Sequence, residues 1–276
     1  MQTLNFDYRH CARKRPLFVS HPQVEQLAAL ARQQLGVSGV DALTIAQLSA
    51  IPALRVNGVA FDLCIGTDQL VHDEAGKPVF GICEFDPAEP NTTMISVSPA
   101  SENTSEELVL STLAHEMGHA IYDAPGWIVD AARGPRLFDD LDDAPRKAYR
   151  TTTQDAEHLS KSVPVVEHKS KSHNDAYFAE LRANEFMGSL LVPRQRLIES
   201  VEALAPEHGV TIGRSASLDP GIEGSGMHLL AANNMFGHLY IDQLQRTLAT
   251  RFGVHRRFIE VRMKRYGLIK PGSTPG

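Results

Sequence analysis

The sequence predicts a mixed α/β (α+β) fold: a small sheet, then a buried helix carrying a metal-binding pattern, then a helical C-terminal segment. Three observations predict it. Short apolar or β-branched runs bounded by turn residues crowd into residues 53–98. Apolar residues at helical spacing lie before and after that stretch. Residues 239–266 form two periodic halves separated by Gly253-Val254, a spacing that resembles a helix-turn-helix. The 276 residues suffice for one large domain or two small ones. They divide into an N-terminal arm with helices (1–52), a central domain (53–200, with an insertion at 123–173) and a helical segment (201–276) expected to pack on the central domain.

Residues 1–20 carry Arg9, Arg13, Lys14 and Arg15 and read as a solvated basic arm. His21-Pro22 opens a helix with Val24, Leu27, Leu30, Ala31 and Leu35 at helical spacing and Gly36 as its stop. Residues 41–51 add a short helix, ended by Pro52. Residues 54–63, 79–85 and 93–97 read as strands of an antiparallel sheet, with turns at 73–76 and 86–91 between them. Thr104-Ser105-Glu106-Glu107 offers a capping box for a helix whose Leu110, Leu113, Met117 and Ile121 form one apolar stripe. Residues 123–173 then change character. Pro125-Gly126, an acidic run at 139–143 and a Ser/Lys-rich end read as a long inserted loop, placed to act as a lid. Asn174-Asp175 caps a helix over 176–191, and 206–226, rich in Gly, Pro and Ser, reads as a loop.

Composition bounds the setting. The net charge of −6 argues against general nucleic-acid affinity. Residues 240–270 reverse the balance, with eight Lys/Arg against two acids, and could meet a nucleic-acid activator. No apolar run reaches the length of a membrane span, and the polar, basic N-terminus is no secretory signal. The three cysteines, Cys11, Cys64 and Cys83, form no disulfide framework, which fits a reducing cytoplasm.

The chemistry centres on His115-Glu116-Met117-Gly118-His119, an H-E-x-x-H pattern. On a helix the two His lie about 40° apart round the axis and roughly 6 Å apart at Cβ. Two imidazoles at that spacing reach one zinc ion, and Glu116 stands beside them to take a proton from water. A catalytic zinc takes three protein ligands and leaves one position open. The best third candidate is Glu180, with Asn184 one turn later on the same face to steady a His ring. Glu185 lies on another face, so both glutamates cannot ligate together.

The stretches LAHEMGHAIY, ELRANEFMGSLLVP and LATRFGVHRRFIEVRMKRYGLI, in that order, resemble the ImmA/IrrE family of metallopeptidases. The resemblance covers roughly residues 80–200 and 240–270. It implies a zincin-like (gluzincin-like) catalytic domain, zinc held by His115, His119 and Glu180, and Glu116 as general base. Manganese is expected to substitute in vitro. The longer gap between His119 and Glu180, and Met187 in place of a small residue, depart from the family pattern. Members typically cleave a helix-turn-helix transcriptional repressor encoded nearby, in stress-response, defence or mobile-element circuits. The implied function is therefore site-specific cleavage of one protein partner. The alternative is a DNA-binding regulator or a toxin–antitoxin interaction module with a structural metal site, against which the intact Glu116 argues. Tyr177 and His173, and less so His158 and His168, are candidates for the donor that meets the oxyanion. Cys83 and Cys11 are candidates for an inhibitory thiol at the zinc.

Overall fold

The computed structural model describes residues 3–86, 88–102, 104–133, 148–151, 171–214, 227–230 and 237–269. The chain divides into two compact units: residues 1–39 with 43–190, and residues 40–42 with 191–276.

The first unit opens with β1 (Leu4–Phe6), α1 (His21–Gln34) and α2 (Ile45–Ser49). There follow β2 (Ala53–Val56), β3 (Val59–Gly66), a small pair β4 (Val71–His72) and β5 (Pro78–Val79), β6 (Gly81–Phe85) and β7 (Thr92–Val97). Helices α3 (Glu106–Tyr122) and α4 (Ala124–Ala132), strand β8 (Ala148–Thr151) and helix α5 (Lys171–Leu191) complete it. The main sheet has the order β1-β2-β3-β7-β6-β8.

This sheet is mixed, which corrects the antiparallel expectation. β1 runs parallel to β2 and β3 parallel to β7, while the other pairs are antiparallel. The chain leaves β3, turns through β4 and β5, lays down β6, and then threads β7 between β3 and β6. Residue alternation sets which face a strand buries, not which way its neighbour runs. The run at 54–63 is two strands, because Asn57 (φ 53°) and Gly58 (φ 82°) both take left-handed backbone and make a tight two-residue hairpin.

The N-terminal arm is built into the unit. Leu4 and Phe6 are buried in β1. The backbone of Asn5 is held on both sides by the Gln34 amide, which accepts from its N–H at 2.7 Å and donates to its carbonyl at 2.8 Å. That pairing closes the sheet edge. Arg15 pairs with Asp130 of α4 at 2.6 Å, so this charge is spent internally.

Helix α3 is buried all round from Thr112 to Tyr122, a wider burial than one stripe implies. Its Ser105 cap accepts from the Leu108 N–H at 3.3 Å. Part of the expected loop is helix: α4 follows α3 after Asp123, with Pro125 in its first turn, where a missing N–H leaves no bond unmade. Helix α5 begins ahead of Asn174-Asp175, which sit inside it rather than at its cap, because cap preference is a local bias that further turns can override. At its far end, the buried Arg32 guanidinium donates to the Leu190 carbonyl at 2.7 Å.

Helices α3 and α5 meet backbone to backbone. A Cβ built on Gly118 would lie 2.8 Å from the Ala183 Cα and 3.2 Å from its Cβ and carbonyl oxygen. Elsewhere in a helix Gly→Ala gains up to about 1 kcal/mol. Here the methyl enters the backbone of α5 and must push it away from α3. Gly118→Ala is expected to destabilise the fold by about 1–3 kcal/mol, as overpacking does, and to weaken metal binding. Denaturant unfolding with and without zinc, alongside calorimetric titration, measures both; parent-like stability and affinity would show that the contact does not set the spacing.

The second unit contains α6 (Arg194–Leu204), a 3₁₀ turn (Pro206–His208), the antiparallel pair β9 (Thr211–Arg214) and β10 (Met227–Leu230), α7 (Gly237–Phe252) and α8 (Arg256–Arg265). Strand β9 falls inside the stretch read as loop. Helices α7 and α8 flank a turn at Gly253 (φ 64°) and bury Leu244, Leu248, Phe252, Ile259 and Met263. Most of their basic side chains have partners in this unit. Arg246 and Arg256 meet Asp242, Lys264 meets Glu260, and the buried Arg262 stacks on Tyr266. Asp41 takes both Arg196 and Arg251. Burial opposes the charge of Asp41, but the two guanidiniums hold its carboxyl below the usual range. Among the described residues no helix is long and apolar enough to cross a membrane.

Candidate metal centre

Helix α3 presents His115 and His119 one turn apart, and α5 brings Glu180 to them. One donor atom from each residue lies within 4.8 Å of the others. His115 Nε2 is 3.3 Å from Glu180 Oε2, His119 Nε2 is 3.3 Å from Glu180 Oε1, and the two Nε2 atoms are 3.1 Å apart. The site has a closed floor and one more open side: the His119 side chain is 0% exposed and that of His115 6%, whereas that of Glu180 is 34%.

The outer nitrogens are held as a metal site requires. His115 Nδ1 donates to Asn184 Oδ1 at 2.9 Å, and His119 Nδ1 donates to Asp123 Oδ2 at 2.9 Å. With each Nδ1 proton held outward, a ring that carries no second proton turns its Nε2 lone pair inward. Arg182 holds the other oxygen of Asp123 at 3.2 Å and lies 5.9 Å from the centre of the Tyr122 ring. Two imidazoles and one carboxylate, each oriented from behind and with one side open, fit a zinc ion. Asp123 and Arg182 were missed in the sequence. The i, i+4 spacing of His119 and Asp123 was a usable signal; nothing local pointed to Arg182.

Glu116 is fully buried against β6. A Cβ on Gly81 would sit 2.6 Å from Thr112 Cγ2 and 3.2 Å from both Cγ and Oε1 of Glu116, so only glycine lets the strand pass this close. Glu185 points elsewhere, toward Ser189 at 3.2 Å and His21 at 3.4 Å. Tyr177 meets Phe178 edge-on, with ring centres 5.6 Å apart, and its buried hydroxyl has no hydrogen-bond partner among the described residues. The backbone of His173 is in α5, but its side chain lies outside the described residues, as do His158 and His168. Most of the stretch read as a lid also lies outside them. Neither Cys83 nor Cys11 belongs to the donor cluster among the described residues. Cys83 is wholly buried on β6, and burial, then the nearby Glu116 and Asp123 charges, push its thiol well above the usual range, which disfavours the ligating thiolate.

The electrostatics of the donors favour a cation. Burial opposes charge on His119, yet the Asp123 and Glu180 carboxylates overcome it and raise its pKa to about 10 in the metal-free protein. Burial likewise works against the Glu180 charge, and the bonds to His115 and His119 bring its carboxyl well below the usual range. In the metal-free protein, then, the two carboxylates favour a second proton on the His119 ring, at the nitrogen a metal would bind. Binding must expel it, so affinity rises with pH. Between pH 6 and 8 zinc affinity is expected to climb about tenfold per pH unit, with about one proton released, the displacement of a single proton. Calorimetry in buffers of different ionisation enthalpy measures this, and a pH-independent affinity would contradict it.

No protein-family model matches this chain, and no curated protein matches it.

Proposed function

We propose that the chain is a zinc-dependent endopeptidase of the ImmA/IrrE kind. The observation that carries this reading is the convergence of His115, His119 and Glu180 from two helices, with Glu116 on the same helix as the histidines. A structural metal site would have no use for that carboxylate. His115, His119 and Glu180 would hold a zinc ion, which would supply a Lewis acid to polarise a scissile carbonyl and lower the pKa of water. Glu116 takes the proton of the attacking water on its carboxylate and delivers it to the leaving amine. Asn184 and Asp123 keep the two imidazoles in register, and Arg182 steadies Asp123. The Tyr177 hydroxyl, one turn before Glu180 and without a hydrogen-bond partner among the described residues, is the group we assign to the oxyanion.

The motif order described above supports a substrate of one kind, a helix-turn-helix repressor encoded beside the gene, cut at one site in the cytoplasm. The test incubates the purified chain with such repressors, with and without a chelator, and reads cleavage by mass spectrometry. A single chelator-sensitive cut supports the reading. Intact repressors after zinc or manganese loading count against it.

A further inference from the structure

Strand β6 carries Gly81 against Glu116, the proposed base, and turns one edge away from β7. That edge is filled by the chain itself. β8 pairs antiparallel with β6, matching Gly81 with Thr151, Ile82 with Arg150, Cys83 with Tyr149 and Glu84 with Ala148. β8 also lies against α3, the helix of the metal ligands. Extended peptides are commonly bound as an added strand, because main-chain hydrogen bonds form with any sequence.

We propose that residues 148–151 are a built-in occupant of the β6 edge, a strand that an incoming extended polypeptide must displace. The inference rests on the peptidase reading for the identity of the incoming chain, but strand exchange can be tested without cleavage. Two features suit β8 to exchange. It has four residues, shorter than the usual five to six. Only one of its two edges is paired among the described residues. Because Thr151 is opposite Gly81, an incoming strand in the same register would run past Glu116.

The register supplies the test. Cys83 and Tyr149 are directly opposite each other, and opposed residues in an antiparallel pair lie at a Cα separation that a disulfide spans. Tyr149→Cys, made with Cys11→Ser and Cys64→Ser, would therefore lock β8 onto β6 on oxidation and release it on reduction. The probe is the fluorescent peptide RKAYRTTT, the sequence of residues 146–153. It is added to the full chain and to a variant in which residues 146–153 are replaced by Gly and Ser. The replaced variant should bind the peptide at least tenfold more tightly than the parent, and a peptide with proline in place of its arginines should not bind. The oxidised Tyr149→Cys protein should show no binding, and its β6 amides should exchange hydrogen at least tenfold more slowly than in the reduced form. Absence of peptide binding by the replaced variant, folded by circular dichroism, overturns the proposal. So does equal exchange of β6 in the oxidised and reduced proteins, an arm that remains readable if the replaced variant does not fold. If binding and exchange behave as expected but no protein is ever cleaved, the docking edge stands and the peptidase reading fails.

Discussion

Glu116→Gln is expected to fold and bind zinc as the parent does and to lose cleavage by about 10²–10⁴-fold, the usual contribution of a positioned general base. The substitution keeps the shape of a side chain that is 0% exposed and packed against Gly81 and Thr112, so no cavity opens. It also replaces a buried acid by a neutral amide, which removes a desolvation burden. Glu116 is not among the three grouped donors, so the metal site should be intact. What disappears is the ability to accept a proton from water and return it to the amine. The loss should therefore fall on kcat and leave KM nearly unchanged. Rates on an identified substrate, with metal content measured on the same preparation, decide the matter. Turnover within a few-fold of the parent would remove Glu116 from the role of base.

Glu180→Ala is expected to reduce metal affinity by more than the 10–100-fold typical of removing an outer-shell partner, and to abolish cleavage with it. Alanine is the best helix former, so α5 should persist, and the side chain is partly exposed, so little packing is lost. The two imidazoles would then face a metal alone, with its third donor gone. Asn184→Ala and Asp123→Ala should fall in the lower range, because each only orients a ring. Glu185→Ala is the control. Its carboxylate binds Ser189 and His21, away from the donors, and its loss should not change metal stoichiometry. Metal analysis and competitive titration separate the variants. A Glu180→Ala protein that holds one zinc with parent affinity would mean the third ligand has been misassigned.

Local spacing determined the core of this site. His115 and His119 face one way because residues four apart on a helix must, and the Ser105 cap and apolar residues of α3 declared the helix. The same reasoning separated Glu180 from Glu185 by face, and the structure sends them to different partners. The extents of α7 and α8 followed from their periodicity and from Gly253. Only the tertiary structure decided the rest. It split residues 54–63 at Asn57-Gly58, a pair whose turn preference was present in the sequence but overlooked. It set the strand directions, drew the N-terminal arm into the sheet, and laid β8 along β6. It brought Glu180 to the histidines through the contact of Gly118 with Ala183, and it placed Arg182 behind Asp123. The physical reason is one of range. Caps, periodicity and i, i+4 geometry are fixed by a few bonds of chain, whereas which helix meets which, and at what separation, depends on the packing of residues distant in sequence.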